Sequence, residues 1–191
     1  MHPYETIPLS SAGYVLAAWL IFSHLWMLVK ADNAIAFLQK FPRNTFIGAI
    51  LMAVGMLWFW LLVAPLGLSL EMDLGEFNGA KKILLILVPA AAFLMITEVK
   101  EFLAVRGLGV ICLMAAAPLL GAAFQEPATG KLLVPIFAYA MLTAGLFFIG
   151  MPYLMRDGIK IATASKARFQ ALVAGGLVYG IATLACAILW Y

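Results

Sequence analysis

The amino-acid sequence predicts an all-α protein, a polytopic transmembrane bundle of six helices. Three observations support this fold class. First, 65% of the 191 residues are hydrophobic and 11% are charged, whereas a soluble domain is roughly 45–50% apolar and about 25% charged. Second, six apolar runs are long enough, or nearly so, to cross about 30 Å of hydrocarbon. Third, nearly every charged residue lies between these runs. A soluble enzyme and a nucleic-acid-binding module are therefore excluded.

The six predicted spans follow one another with short connections. They cover residues 12–29, 46–70, 83–103, 108–124, 132–155 and 169–191. No remaining segment is long enough for a soluble domain, so residues 1–191 are predicted to form a single integral-membrane domain.

The connection after the first span has a helical pattern of its own. Its apolar residues recur at intervals of three: Ile35, Leu38 and Phe41. Asp32 and Asn33 are candidate N-caps, and Pro42 is a stop signal. We therefore expect a short helix that lies in the membrane interface. The alternative is that the first spanning helix continues beyond the membrane.

The third span is short, because the charged residues Glu98, Lys100 and Glu101 follow Thr97. A turn is expected at residues 106–109, which read Arg-Gly-Leu-Gly. Pro89 and Pro118 are placed symmetrically about this region, so both kinks would lie at one depth. The sequence therefore predicts a tight antiparallel hairpin of the third and fourth spans.

The distribution of basic residues predicts the orientation of the chain. Nine of the 12 Lys and Arg residues lie in the first, third and fifth connections. Lys81, Lys82 and Lys131 are the others. Because cytoplasmic loops of membrane proteins are enriched in basic residues, both termini are expected on the non-cytoplasmic side. We expect an integral protein of a plasma membrane, such as a bacterial inner membrane.

Four ionisable residues are candidates for function, because charged or titratable groups at membrane depth are costly. His24 lies within the first span, and Glu98, Glu101 and Arg106 follow the uncharged part of the third. The two glutamates are three residues apart, which places them on one face of a helix. They form either a cation or proton site at the cytoplasmic mouth, or an interfacial stop signal paired with basic groups.

No cofactor or metal site is predicted. A haem held by two imidazoles needs a second histidine at depth, and the other histidine, His2, lies in the terminal segment. The second connection carries Glu71, Asp73, Glu76 and Asn78, but their spacing does not match a Ca²⁺-binding loop. Motifs of phosphate-binding loops and of metalloproteases are absent from the sequence. We therefore favour a protein that is not an enzyme.

Small residues at helical spacing predict close helix contacts. The last span contains Gly176-x-x-x-Gly180, preceded by Ala171-x-x-x-Gly175. The second span contains Ala49-x-x-x-Ala53. Such strips let the backbones of two membrane helices approach closely. They serve either to close the bundle on itself or to form an interface with another membrane protein or a second copy.

Two functions remain open from the sequence. The first is a non-catalytic accessory or assembly component, which acts through helix contacts and has the lipid bilayer and another membrane protein as partners. The alternative is a small-solute or ion/proton-coupled transporter, with a site near His24, Glu98 and Glu101. A lipid-modifying enzyme is less favoured, because few polar residues lie at membrane depth.

Overall fold

The computed structural model describes residue 4 and residues 6–65, 71–124 and 126–191. Within these residues the chain forms eight α-helices, six of which are long and apolar enough to span a membrane. The spanning helices are α1 (Leu9–Val29), α3 (Thr45–Val63), α4 (Lys81–Glu98), α5 (Leu103–Ala123), α6 (Leu133–Gly150) and α8 (Lys166–Leu189). The shorter helices are α2 (Ala31–Lys40) and α7 (Tyr153–Ala162). The predicted six-span helical fold is confirmed, although the predicted end of the second span, 66–70, lies outside the described residues.

The first and last helices, α1 and α8, form an antiparallel pair. Three glycines bring their backbones close together. A Cβ added to Gly13 would lie 3.1 Å from Ala187 Cβ, and one added to Gly180 would lie 2.9 Å from Leu20 Cβ. Gly176 faces His24 about one helical turn beyond the Gly180–Leu20 contact, towards the end of α1 and the start of α8. Contact thus runs along the length of both helices, so the two ends of the chain are held together.

Helix α5 is the centre of the bundle and packs between α3 and α6. It runs parallel to α3, since Gly48 approaches Ala104 near the start of both helices and Gly55 approaches Val110 further along. It runs antiparallel to α6, where a Cβ added to Gly109 would lie 2.8 Å from Gly145 O. Glycines on all three helices therefore permit packing at backbone distance.

The connection between α4 and α5 differs from the prediction. Residues 106–109 lie inside α5, so the predicted turn there is wrong. The chain reverses at residues 99–102 instead, where Phe102 has a φ of 55°. The glycines at 107 and 109 contact α3 and α6 rather than bending the chain. A glycine pair in an apolar sequence fits a packed helix as well as it fits a turn.

The predicted hairpin of the third and fourth spans is also wrong. Helix α4 packs along α3, while α5 packs against α3 and α6. A hydrogen bond fixes the α3–α4 contact, with Trp60 Nε1–H donating to Leu85 O over 3.0 Å. Pro89 and Pro118 both remain inside helices. The alanine runs beside the two prolines predict that α4 and α5 pack on each other. The glycines of α3 and α5 allow these two backbones to approach more closely than alanines would, so α5 packs on α3 instead.

Helix α2 is a separate helix, as predicted. The backbone at Lys30, with φ −117° and ψ 51°, ends α1 and lets the chain change direction. Ala31 and Ala34 are buried against Phe169 and Val173 of α8. Because the break at Lys30 separates two helices, the alternative of one continuous first helix is excluded.

Helix α7 was not predicted. The fifth span, expected to reach residue 155, ends at Gly150, and Pro152 precedes a new helix. This helix is amphipathic, with Leu154 and Ile161 exposed on one side and Arg156 and Lys160 on the other. Such a pattern is typical of a helix that lies along a membrane surface.

The connections divide between two faces of the bundle. Helices α2 and α7 and the turn at 99–102 form one face, which we call the basic face. The described residues at the two ends of the chain and in the connections before α4 and α6 form the other, the terminal face. On the terminal face the hydroxyl of Tyr191 donates to Gly130 O over 2.8 Å. Tyr4 OH accepts a hydrogen bond from Trp58 Nε1 over 2.8 Å. Both ends of the chain are thus anchored to the same face.

Candidate functional site

His24 lies in the contact between α1 and α8, with its imidazole over Gly176. The Nδ1 atom is 2.7 Å from Leu20 O and 3.2 Å from Ser23 Oγ. Because a carbonyl oxygen only accepts hydrogen bonds, Nδ1 is the donor in the contact with Leu20 O. The ring is thus held by its own helix and occupies the space that a side chain at residue 176 would need.

Glu98 and Glu101 do not share a helical face. Glu98 is the last residue of α4, and Glu101 lies in the following turn. Both are exposed, and neither forms a salt bridge within the part of the chain that the structure describes. The prediction that the two carboxylates face the same way on one helix is wrong, because the helix ends before the second is reached.

Arg106 lies in the first turns of α5 and is partly buried. Its Nε atom is buried and has no hydrogen-bond partner in the structure. In the turn that precedes α5, the Phe102 ring is contacted by α7: the guanidinium of Arg156 lies 6.0 Å from the centroid of this ring. Arg106 forms no salt bridge with Glu98 or Glu101.

The structure does not bring the candidate ionisable residues together. His24 belongs to the α1–α8 pair, whereas Glu98 ends α4, whose main helical neighbour is α3. Two cavities are described at the protein surface, and neither is lined by His24, Glu98, Glu101 or Arg106. No group of three or more His, Cys, Asp or Glu side chains within the described ranges is arranged to hold a metal ion.

The first cavity, about 360 Å³, lies where α1 meets α2 and is called here the junction cavity. It is lined by Leu28, Val29, Lys30 and Asp32 from these helices and by Lys166 from α8. Lys166 Nζ lies 2.8 Å from Asp32 Oδ2. The cavity therefore combines an apolar wall with charges of both signs.

The second cavity, about 310 Å³, is an apolar groove between α3 and α4. Its walls include Met56 and Trp60 from α3, and Val88, Pro89 and Ala92 from α4. Val88 is the only residue of α4 that is buried in the bundle. Helix α4 thus packs on α3 along one side, where its residues are mostly only partly buried, and exposes its other side.

Charged pairs on the loops are local and exposed. On α7, the Arg156 guanidinium lies 2.8 Å from Asp157, which lowers the pKa of that carboxyl. On the terminal face, Asp73 accepts hydrogen bonds from Asn78 Nδ2 over 2.6 Å and from the Gly75 amide over 2.9 Å. These bonds, that of Asn78 first, lower the pKa of Asp73. The Asp73 carboxylate therefore orders a local turn.

The junction cavity is not evident from the amino-acid sequence. In the sequence, Lys30 and Lys166 belong to the basic residues that predict the orientation of the chain, and Asp32 is a candidate N-cap. The structure shows instead that Asp32 is paired with Lys166, a residue 134 positions away in the chain.

No protein family, curated protein or solved structure matches this chain.

Proposed function

We propose that this chain is a non-catalytic accessory or assembly component of a membrane complex, and that α4 is its contact helix. The observation that carries this proposal is the exposure of α4. Only Val88, with 4% of its surface exposed, is buried in the bundle. The other spanning helices each bury three or more residues. A spanning helix with so little internal packing is available for lateral contact with a second protein.

The exposed face of α4 has a shape that suits another transmembrane helix. Ile83, Ile86 and Phe93 are exposed bulky residues, while Pro89 and Ala90 between them are small or compact and also exposed. Close helix approach in membranes depends on small residues at the crossing point. We therefore propose that a transmembrane helix of another membrane protein packs on this face of α4 and crosses it at Ala90.

The location and orientation form part of the same proposal. The basic face carries α2, α7 and the 99–102 turn, which lie in connections rich in Lys and Arg. The positive-inside rule assigns this face to the cytoplasm and both termini to the opposite side of a plasma membrane, such as a bacterial inner membrane. A reporter fused after Tyr191 should be located on the non-cytoplasmic side of the membrane. A reporter located in the cytoplasm would show that the proposed orientation is wrong.

The contact role of α4 is tested by enlarging Ala90. Ala90→Trp adds bulk at an exposed position, so the isolated protein should keep its stability while partner association is blocked. Ala174→Trp on α8 is the matched control, because Ala174 is also an exposed alanine of a spanning helix. Native-gel electrophoresis and light scattering of complexes from the native membrane should show loss of one defined complex with Ala90→Trp alone.

Two results would contradict the contact role. An equal yield of the complex with Ala90→Trp and Ala174→Trp would remove α4 from the interface. A complex that contains only copies of this chain, by mass, would replace the partner protein with a homo-oligomer.

The transport alternative makes a different prediction. It requires His24, Glu98 and Glu101 to serve one pathway, although His24 and Glu98 lie on helices that pack in different parts of the bundle. Under the proposed function, Glu98→Gln and Glu101→Gln should leave complex formation unchanged, because both carboxylates are exposed and without a salt bridge in the described chain. Loss of an ion or solute flux in vesicles containing either variant would favour transport instead.

A further inference from the structure

The junction cavity combines features that match one class of ligand. We propose that it binds the headgroup of a phospholipid that carries both a phosphate and a primary ammonium group, as phosphatidylethanolamine does. The cavity, about 360 Å³, lies at the end of α1, between α2 and the start of α8. Its size falls in the range of about 300–1,000 Å³ that is usual for small-molecule sites.

The charges in the junction cavity are complementary to such a headgroup. Lys30 and Lys166 provide two ammonium groups for a phosphate, and Asp32 provides a carboxylate for the ammonium of the lipid. Lys166 and Asp32 are already 2.8 Å apart, with 53% and 79% of their side chains exposed. A zwitterionic ligand can therefore insert between them. The Lys166–Asp32 pair is then replaced by two pairs, one between Lys166 and the phosphate and one between Asp32 and the ammonium of the lipid. The amides of Asn33 and Gln170, also at the cavity, add neutral donors and acceptors.

The position of the cavity favours a lipid over a free anion. Val29 is the last residue of the spanning helix α1, and its side chain is 73% exposed. The end of a span marks the boundary between hydrocarbon and headgroups. Leu28 and Val29 thus offer an apolar wall for the start of the acyl chains, while the charged residues lie beyond it. Free phosphate would leave this wall unused and would be repelled by Asp32.

Asp32 also distinguishes between lipid headgroups. A glycerol headgroup has no cation to pair with the carboxylate, so it gains the contacts of the two lysines but leaves Asp32 unpaired beside its phosphate. A choline headgroup has a cation but no N–H donor, so it cannot form a hydrogen bond with Asp32. We therefore expect the order ethanolamine, then choline, then glycerol in affinity.

The test uses the full chain, purified in neutral detergent, and measures the rise of Tm with added ligand. A ligand that binds only the folded state raises Tm in a concentration-dependent way. The probes are dihexanoyl phosphatidylethanolamine, the corresponding choline and glycerol lipids, and inorganic phosphate. The ethanolamine lipid should bind most tightly to the wild-type protein, and inorganic phosphate should have the smallest effect.

Two variants assign the effect to the cavity. Asp32→Asn should abolish the preference for the ethanolamine over the glycerol lipid. Lys166→Ala should weaken binding of all three lipids by about 1.5-fold to fivefold, the range expected for one exposed charge contact. Lys160→Ala, on α7 and outside the cavity, is the control and should bind lipid as the wild type does. Each variant is compared with its own lipid-free Tm, so that loss of the exposed ion pair is not counted as loss of binding.

Three outcomes would overturn the proposal. The first is an equal response of the wild-type protein to all three lipids. The second is an unchanged lipid response in both Asp32→Asn and Lys166→Ala. The third is a response to inorganic phosphate that equals the response to the ethanolamine lipid, which would make the cavity a site for a free anion.

Discussion

Replacing Gly109 by alanine should force α5 away from α6. A Cβ at this position would lie 2.8 Å from Gly145 O and 2.8 Å from Ile149 Cγ1. Ordinary van der Waals contact begins at 3.4 Å, so the backbone of one helix must move by about half an ångström. We expect the free energy of unfolding to fall by about 1–3 kcal/mol, which is the usual cost of overpacking a well-filled interior.

Gly175→Ala provides the matched control. Both glycines lie within spanning helices, but a Cβ at residue 175 would meet nothing within 4 Å. The gain in intrinsic helix propensity, about 1 kcal/mol on scales measured in water, is common to both substitutions. The difference between the two variants therefore measures the packing cost alone. Gly175→Ala should be neutral or slightly stabilising.

The assay is reversible unfolding of the purified protein in mixed micelles with increasing denaturing detergent, followed by tryptophan fluorescence. The reasoning predicts that Gly109→Ala unfolds at a lower detergent fraction than both the wild type and Gly175→Ala. Substitutions without a specific structural effect usually change the free energy of unfolding by less than about 0.5 kcal/mol. If the free energies of unfolding of the two variants differ by less than this, the backbones of α5 and α6 are not in close contact at Gly109.

Three further predictions concern other parts of the bundle. Gly176→Ala should displace the imidazole of His24 and cost about 1–3 kcal/mol, and the double variant with His24→Ala should cost less than the sum of the two single changes in the same unfolding assay. The pKa of Asp73 is lowered in the folded chain, so its contribution to stability is present above the unfolded pKa of about 3.9 and is lost as the pH falls through the lower folded value. An NMR titration of the asparagine amide bonded to it should have its midpoint below that value, and a midpoint above it would contradict the hydrogen-bonded turn. Tyr191→Phe should cost about 1 kcal/mol through loss of one partly buried hydrogen bond, whereas Tyr14→Phe, at an exposed tyrosine of α1, should leave the unfolding midpoint unchanged.

The number and type of helices could be predicted from the sequence because hydrophobic length is a strong signal. Each span must satisfy its backbone groups within itself, so a long apolar run has one stable conformation in a membrane. The amphipathic pattern of α2 was also visible. The same pattern in α7 was obscured by Asp157 and Gly158, two residues that also favour turns.

The arrangement of the spans could not be predicted, because lipid tails are as apolar as the protein interior. A leucine that faces lipid and one that faces another helix look alike in the sequence. The Ala49–Ala53 strip illustrates this, since the close contacts of α3 are made one and two residues away, by Gly48 and Gly55. The pairing of Asp32 with Lys166 could not be predicted either, because it depends on the packing of α8 beside α1, which brings together residues that are distant in the sequence.

The antiparallel pairing of α1 with α8 has a consequence for biogenesis. Spans enter the membrane in chain order during synthesis, so α1 has no α8 to pack against until the last helix has been inserted. A chain that stops after α6 leaves the α1 surface around Leu20 and His24 without its partner. Likewise, α3 meets α5 only after α4 has been inserted. Assembly of these six spans is therefore completed only when α8 arrives, and truncation before α8 removes its contact with α1.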